Sequence, residues 1–290
     1  MVTPARTVND AYIRLMGNAK ESRDGQKGLA RIRDLWWPHF LQAFGQGPLR
    51  AIDNLDLCME ASRQRFERMA GEYAKSNESS EGSSSSTQRS MQFMKSNTGK
   101  MFERFIGLAI AHYLKEVNSR YAVWAFRNDI TQFSPKLHPA NYSITVMLGN
   151  VSYETPMDSD LAIFNPTDLG ETTYLASVKS TLKDRFHNVP FWQLLRRAAL
   201  SHDFLNIQAK VPGLLEEFKY VGFCTDLAEE QPDFSNVSGP RNLLCLDAAL
   251  LDGAYVTASK AKGLGQGDNH FGPQRDAPFY PLSKFVEMLS

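Results

Sequence analysis

The sequence predicts an α/β fold in which a mixed β-sheet is sandwiched between helices and preceded by a helical region. Three observations predict it. Apolar residues recur at helical spacing from Asp10 to Lys75. Between Gly99 and Cys224 the pattern runs helix, three extended segments, helix, apolar strand. The chain has 290 residues, 42% of them hydrophobic, enough to bury a substantial core.

In the first region, residues 1–75, Ala51, Leu55, Cys58, Met59 and Ser62 mark one helical face, with Arg63, Arg65 and Arg68 on the polar side. The Gly45-Gln46-Gly47-Pro48 cluster divides the region into at least two helices. Trp36 and Trp37 are expected to pack between them. Residues 76–90, with Ser83 to Ser86 unbroken, present no apolar face and read as a flexible loop. The core then spans residues 91–290. Its first helix, from about Gly99 to Asn118, repeats Phe102, Phe105, Ile106, Ala109, Tyr113 and Leu114 at helical spacing and carries Glu103 on its other side. Three extended segments follow: Ser143 to Leu148, ending at the turn signal Gly149-Asn150, then Asp160 to Phe164 and Thr173 to Ser180. A second helix is read from about Phe191 to Gln208, and Tyr220 to Cys224 has the apolar run of a buried strand. Asn242 to Leu246 and Ala254 to Thr257 are read as further strands. Lys260 to Pro281, rich in Gly and Pro, is read as a loop region.

Composition narrows the function classes. Cys58, Cys224 and Cys245 are odd in number and widely spaced, so they suggest buried reduced thiols rather than a disulfide framework or a zinc site. No apolar stretch approaches the ~20 residues of a membrane span, and the first thirty residues are too charged for a secretory signal; a soluble cytoplasmic protein is expected. Zero formal net charge argues against indiscriminate electrostatic binding of nucleic acid, while allowing cations gathered in one cleft. Ser180-Thr181-Leu182-Lys183 matches S-x-x-K without the partner motifs of that chemistry, and Asn97-Thr98-Gly99-Lys100 lacks the first glycine of a phosphate-binding loop. His187 and His270 are read as ordinary surface histidines.

The chemistry concentrates elsewhere. Asp160 opens an apolar strand, and Ser177 and Lys179 sit two apart near the end of the next, so the period-2 alternation puts Ser177 and Lys179 on one face. If the strands pair as a hairpin, Asp160 and Lys179 meet at one end of it. Such a pair suits phosphodiester hydrolysis: an Asp holds Mg2+, which binds the scissile phosphate and acidifies water, and a Lys positions the attacking water and offsets developing charge. Asp and Lys on neighbouring strands are commonly just a solvated edge, so the residues around them carry weight. Lys179 is followed by Ser180-Thr181-Leu182-Lys183-Asp184-Arg185, a polar run able to read C·G pairs in the major groove. Asp158 shares the parity of Asp160 and is the reserve metal ligand. Asp160 is preferred because the apolar strand starts immediately after it.

The stretch Tyr174-Leu-Ala-Ser-Val-Lys-Ser-Thr-Leu-Lys-Asp-Arg185 resembles the variant PD-(D/E)XK motif of type II restriction endonucleases that recognise CCGG or CCNGG cores, in which Ser or Thr replaces the acid of the (D/E)XK triplet. The resemblance covers roughly residues 95 to 225. It implies a restriction-endonuclease-like core, a metal-binding Asp160, Ser177 in the displaced acid position, a catalytic Lys179, and Lys183, Asp184 and Arg185 as base readers. It also implies a glutamate from the preceding helix, for which Glu103 is placed. The family regains its missing acid from a glutamate about a dozen residues past the lysine; here Trp192 and Gln193 stand there, and Gln193 offers an uncharged oxygen instead.

What this implies is a Mg2+-dependent, site-specific endonuclease acting on double-stranded DNA, with a cognate methyltransferase as a genetic partner only. Palindromic sites pair with twofold protein symmetry, so a homodimer or homotetramer is expected, with the N-terminal helices building an interface or gripping DNA phosphates. Two rivals stay open: a structure-directed repair or recombination nuclease on the same core, and a DNA-binding protein whose acid-poor site no longer cleaves.

Overall fold

Central strands that are apolar on both faces must be covered on both faces, and that requirement organises this molecule. A computed structural model describes residues 9, 10, 13, 31–76, 86–125, 135–180, 186, 188–201, 203, 204, 206–225, 233, 234, 242–272 and 275–290. A π-helical stretch, Ile32–Trp36, leads into α1 (Trp37–Gln46), α2 (Pro48–Asp53), α3 (Leu55–Glu60), α4 (Arg63–Ser76) and the long α5 (Ser86–Glu116). The strands β1 (Ala122–Ala125), β2 (Ser143–Leu148), β3 (Val151–Pro156), β4 (Leu161–Phe164) and β5 (Thr173–Lys179) follow. Then come α6 (Asn188–Leu200), β6 (Ile207–Ala209), α7 (Pro212–Glu217), β7 (Phe218–Cys224), α8 (Asn242–Leu250), β8 (Gly253–Val256), β9 (Tyr280–Pro281) and α9 (Leu282–Met288).

Six strands form a mixed sheet in the order β1-β4-β5-β7-β8-β9. β1, β4 and β5 pair antiparallel, and β5, β7, β8 and β9 pair parallel. Every residue of β4 and β8 is buried, as is all of β5 up to Lys179. On one face Phe285 of α9 packs against Tyr174, Phe223 and Tyr255, with α5 beside it against β1 and β5. On the other, Arg196 of α6 lies over the Phe218 ring, and Gly222 is so closely covered that a Cβ there would come within 3.0 Å of Phe186 and Leu251. The chain is thus a mixed sheet flanked by helices, as the element order predicts.

Several boundaries differ from the sequence reading, each for a physical reason. Ser143 to Leu148 is a strand, but it belongs to a separate three-stranded antiparallel sheet, β3-β2-β6, entered through the two-residue turn Gly149-Asn150 with Gly149 at positive φ. The strand next to β4 is instead β1. α5 begins at Ser86, inside the stretch read as a loop, because a helix nucleated by the buried stripe Met101, Phe102, Phe105, Ile106, Ala109 and Ile110 propagates at little cost alongside α4. It closes where expected, at Asn118 with φ 54, whose neighbour Ser119 donates its N–H to the Leu114 carbonyl at 2.8 Å. Helix α6 stops at Leu200, and Ile207 and Gln208 join β6. Asn242 to Leu246 is helical rather than extended: its leucines and the alanines that follow at 248 and 249 favour a helix, and the helix contains no β-branched residue.

The N-terminal helices are fastened to the last third of the chain. Thr257 Oγ1 accepts from Leu55 N and donates to the Ile52 carbonyl, Asp53 accepts from Ser283 N, and Asp56 accepts from both the N–H and the hydroxyl of Ser259. One continuous apolar cluster runs from Ile32 to Leu289. Trp36 is buried against Phe105, and Trp37 stacks on Phe40, as expected of packing residues. Cys58, Cys224 and Cys245 are free and buried, also as expected. His270 is not at the surface: it is buried with Nδ1 2.8 Å from the Tyr255 hydroxyl.

Candidate active site

The antiparallel β4–β5 pairing sets Leu161 opposite Ala176. One step further along that register Asp160 lies opposite Ser177, and its N–H donates to the Ala176 carbonyl at 2.8 Å. Directly opposed residues share a face, so Asp160, Ser177 and Lys179 face the same side of the sheet. The structure brings the two predicted charges together: Lys179 Nζ lies 3.4 Å from Asp160 Oδ2 and 3.3 Å from Asp158 Oδ2. Both aspartates of the Met157-Asp158-Ser159-Asp160 run therefore reach the same ammonium. They differ in setting: the Asp160 side chain is 17% exposed and accepts a hydrogen bond from Val178 N at 2.7 Å, whereas that of Asp158 is 47% exposed.

Burial dominates the electrostatics of the pair. It raises the Asp160 pKa above the ordinary carboxylate value, and the Lys179 ammonium and the Val178 N–H only partly offset this. For Lys179, burial acts to lower the pKa, but the combined pull of Asp160, Asp158 and Glu103 outweighs it, so the ammonium holds its proton more tightly than a free lysine. That contribution from Glu103 puts the α5 carboxylate within electrostatic range of the same centre. Ser177 is fully buried, and its Oγ makes no hydrogen bond to any described residue; it sits near enough to the Tyr220 hydroxyl to favour the phenolate slightly without closing a bond of ordinary geometry.

Tyr220 is a site residue that the sequence reading missed. Its hydroxyl, fully buried, donates to the Asp158 carbonyl at 2.6 Å and so pins the otherwise irregular segment between β3 and β4. Burial, reinforced by Asp158 and Asp160, pushes its pKa far up, which keeps it a donor. Within an apolar strand a tyrosine reads as packing, and no local pattern marks it. Gln193 is buried on α6, and its Oε1 accepts from Arg196 Nη1 at 3.2 Å. The same guanidinium pairs with Asp252 at 3.1 Å, and Asp252 accepts from Tyr220 N at 2.7 Å. Trp192 and Phe191 line an open cavity of about 600 Å³ together with Asp158, Ser159 and Asn188. Lys183, Asp184, Arg185 and His187 lie outside the described residues.

The arginines of α4 are partly engaged within the chain: Arg63 pairs with Glu60 and Glu67, and Arg65 donates to the Asp34 carbonyl. Among the described residues no group of three or more His, Cys, Asp or Glu side chains converges on a point fit for a metal ion, and no helix is long and apolar enough to cross a membrane. The chain matches no protein-family model and no curated protein sequence. What it offers chemically is a buried carboxylate beside a charged lysine at a strand end. Mg2+ commonly takes one or two carboxylates from a protein and completes its shell with water and substrate phosphate; the carboxylates near this lysine are Asp160 and Asp158 in contact with it and Glu103 within electrostatic range.

Proposed function

We propose that this chain is a Mg2+-dependent endonuclease with a PD-(D/E)XK core, a type II restriction enzyme that hydrolyses both strands of duplex DNA at a short palindrome with a CCGG- or CCNGG-like core. The observation that carries the reading is the meeting of Lys179 with Asp160 and Asp158 on the face that also bears Ser177. Asp160 and Glu103 would hold the ion, which when bound polarises the phosphate and lowers the pKa of water. Lys179, kept charged by its carboxylates, orients the attacking water and offsets the charge that develops on the phosphate. Ser177 occupies the position of the displaced acid. Gln193, held by Arg196, orients α6 beneath the site. Lys183, Asp184 and Arg185, next along the chain from β5, read C·G pairs.

Digestion of a sequenced phage DNA by the purified protein, with Mg2+ and with EDTA, tests this. Discrete Mg2+-dependent fragments mapping to one short palindrome are expected, and Lys179→Ala should abolish them while leaving binding to the same DNA. A smear would indicate a structure-directed or nonspecific nuclease. One observation favours a second reading, a DNA-binding protein that no longer cleaves: among the described residues the acids of the site do not converge on one point fit for a metal ion. Uncut but tightly bound DNA under Mg2+ and Mn2+ would establish that alternative.

A further inference from the structure

β1 closes one end of the six-stranded sheet, and among the described residues no strand pairs with its outer edge. An edge of that kind presents unpaired N–H and C=O groups, a template for any extended chain. Yet Ala122, Val123 and Trp124 are all buried. What reaches the edge is the side chain of Asn9, from the other end of the chain. Asn9 is 3% exposed; its Nδ2 donates to the Tyr121 carbonyl and its Oδ1 accepts from Val123 N, both at 3.0 Å. One residue of a parallel neighbouring strand would make the same pair of bonds, to a carbonyl and to the N–H two residues on. The carboxamide therefore stands in for a peptide group of a further strand. Asn9, Asp10 and Ile13 are helical, and the other two add anchors: Asp10 pairs with Lys115 of α5 at 3.4 Å, and Ile13 packs against the apolar core.

We propose that the N-terminal segment carrying Asn9 is a strap over a strand-accepting site, and that the outer edge of β1, once uncovered, takes the β1 strand of another copy of this chain. The composition of β1 selects that occupant. Tyr121-Ala-Val-Trp-Ala-Phe126 is uncharged, contains neither Gly nor Pro, and lies between Arg120 and Arg127. Uncharged segments of about six or seven residues with high β-propensity pair with their own kind when an edge exposes them, and charged flanks are a common restraint on that pairing. The arginines leave the main chain of β1 open to a partner, and the strap closes it. Two hydrogen bonds, one ion pair and one apolar side chain hold the strap among the described residues. A terminal segment fastened by so few contacts lifts while the core stays folded.

The test uses the full chain and a fluorescently labelled peptide of residues 119–127, without DNA or metal. In wild type the Val123 amide should be protected from hydrogen exchange, and the peptide should not bind at tens of micromolar. Asn9→Ala should speed exchange at Val123 about tenfold, the loss of one hydrogen bond, leave the amides of β7 unchanged, and capture the peptide. The same peptide carrying Val123→Pro, which cannot continue a ladder, should not be captured. Asp10→Asn, which only releases Lys115, should show both effects to a smaller extent, and it decides the matter if Asn9→Ala does not fold. Ser62→Ala breaks a buried 2.6 Å bond to the Leu35 carbonyl among the N-terminal helices; as the control for general loosening it should capture no peptide. The proposal is overturned by equal capture in wild type and the strap variants, by capture in Ser62→Ala, by capture of the proline peptide, or by an unprotected Val123 amide in wild type.

Discussion

Replacing Arg196 by methionine should be among the most damaging single changes in this protein, and its cost follows from what the guanidinium holds. Its side chain is 9% exposed. Nε donates to the Leu215 carbonyl at 2.6 Å, Nη2 to the Phe218 carbonyl at 2.8 Å, and Nη1 to Gln193 Oε1 and Asp252 Oδ2 at 3.2 and 3.1 Å. Methionine fills much of the same volume, so little cavity forms; the loss is electrostatic. Asp252, with its side chain 17% exposed, keeps the neutral donor Tyr220 N as its hydrogen-bond partner among the described residues, with Arg275 only in electrostatic range. Breaking a buried pair from one side costs about 3–5 kcal/mol, against the 5–15 kcal/mol of an ordinary folded domain. For a chain of this size that corresponds to a fall of roughly 10 °C in melting temperature. Urea and thermal unfolding measure the loss, and a cycle with Asp252→Asn isolates its cause. Once Arg196 is gone, Asp252→Asn should restore part of the stability, because the unpaired charge goes with it while the Leu215 and Phe218 carbonyls stay without their donor. If Arg196→Met costs less than about 1 kcal/mol, or the two changes simply add, the buried network is not what secures α6 to β7.

Three further outcomes bear on the site. Asp160→Asn should stabilise the fold at neutral pH while destroying Mg2+ binding. Its folded pKa is raised by burial, so ionising it costs the native state stability as pH rises; the advantage of Asn is full above that raised pKa and fades as pH falls towards the ordinary value, which unfolding followed against pH will show. On the proposed reading the same shift should make protons compete with Mg2+ at higher pH than at a free carboxylate, and an acid limb of metal binding at or below the ordinary Asp value of about 3.9 would contradict it. Tyr220→Phe removes the 2.6 Å bond to the Asp158 carbonyl; it should cost about 0.5–1.5 kcal/mol and raise the Mg2+ concentration needed for cleavage, whereas an unchanged Mg2+ titration would make Tyr220 a packing residue only. Gln193→Ala should cost about 1–3 kcal/mol by freeing a buried donor of Arg196 while leaving Mg2+ affinity unchanged; a large loss of affinity would instead make Gln193 a metal ligand.

By itself the sequence determined whatever depends on neighbours along the chain. Strand alternation puts Ser177 and Lys179 on one face whatever the strands pair with, and helical periodicity marks the buried stripe of α5 and its end near Asn118. The apolar runs Leu161–Phe164 of β4 and Tyr220–Cys224 of β7 announce strands covered on both sides. Other features were settled only by long-range pairing. That β1 rather than β2 lies beside β4, that Asp158 joins Asp160 at Lys179, and that Tyr220 reaches back to the Asp158 carbonyl across 62 residues are invisible to local pattern. The short apolar run at Asn242 has the length of a strand, although its leucines and its lack of β-branched residues suit the helix it forms. Likewise the family resemblance makes the oxygen of Gln193 a candidate ligand, and the fold turns it towards Arg196, because a buried guanidinium must find acceptors and takes the nearest carbonyls that packing supplies.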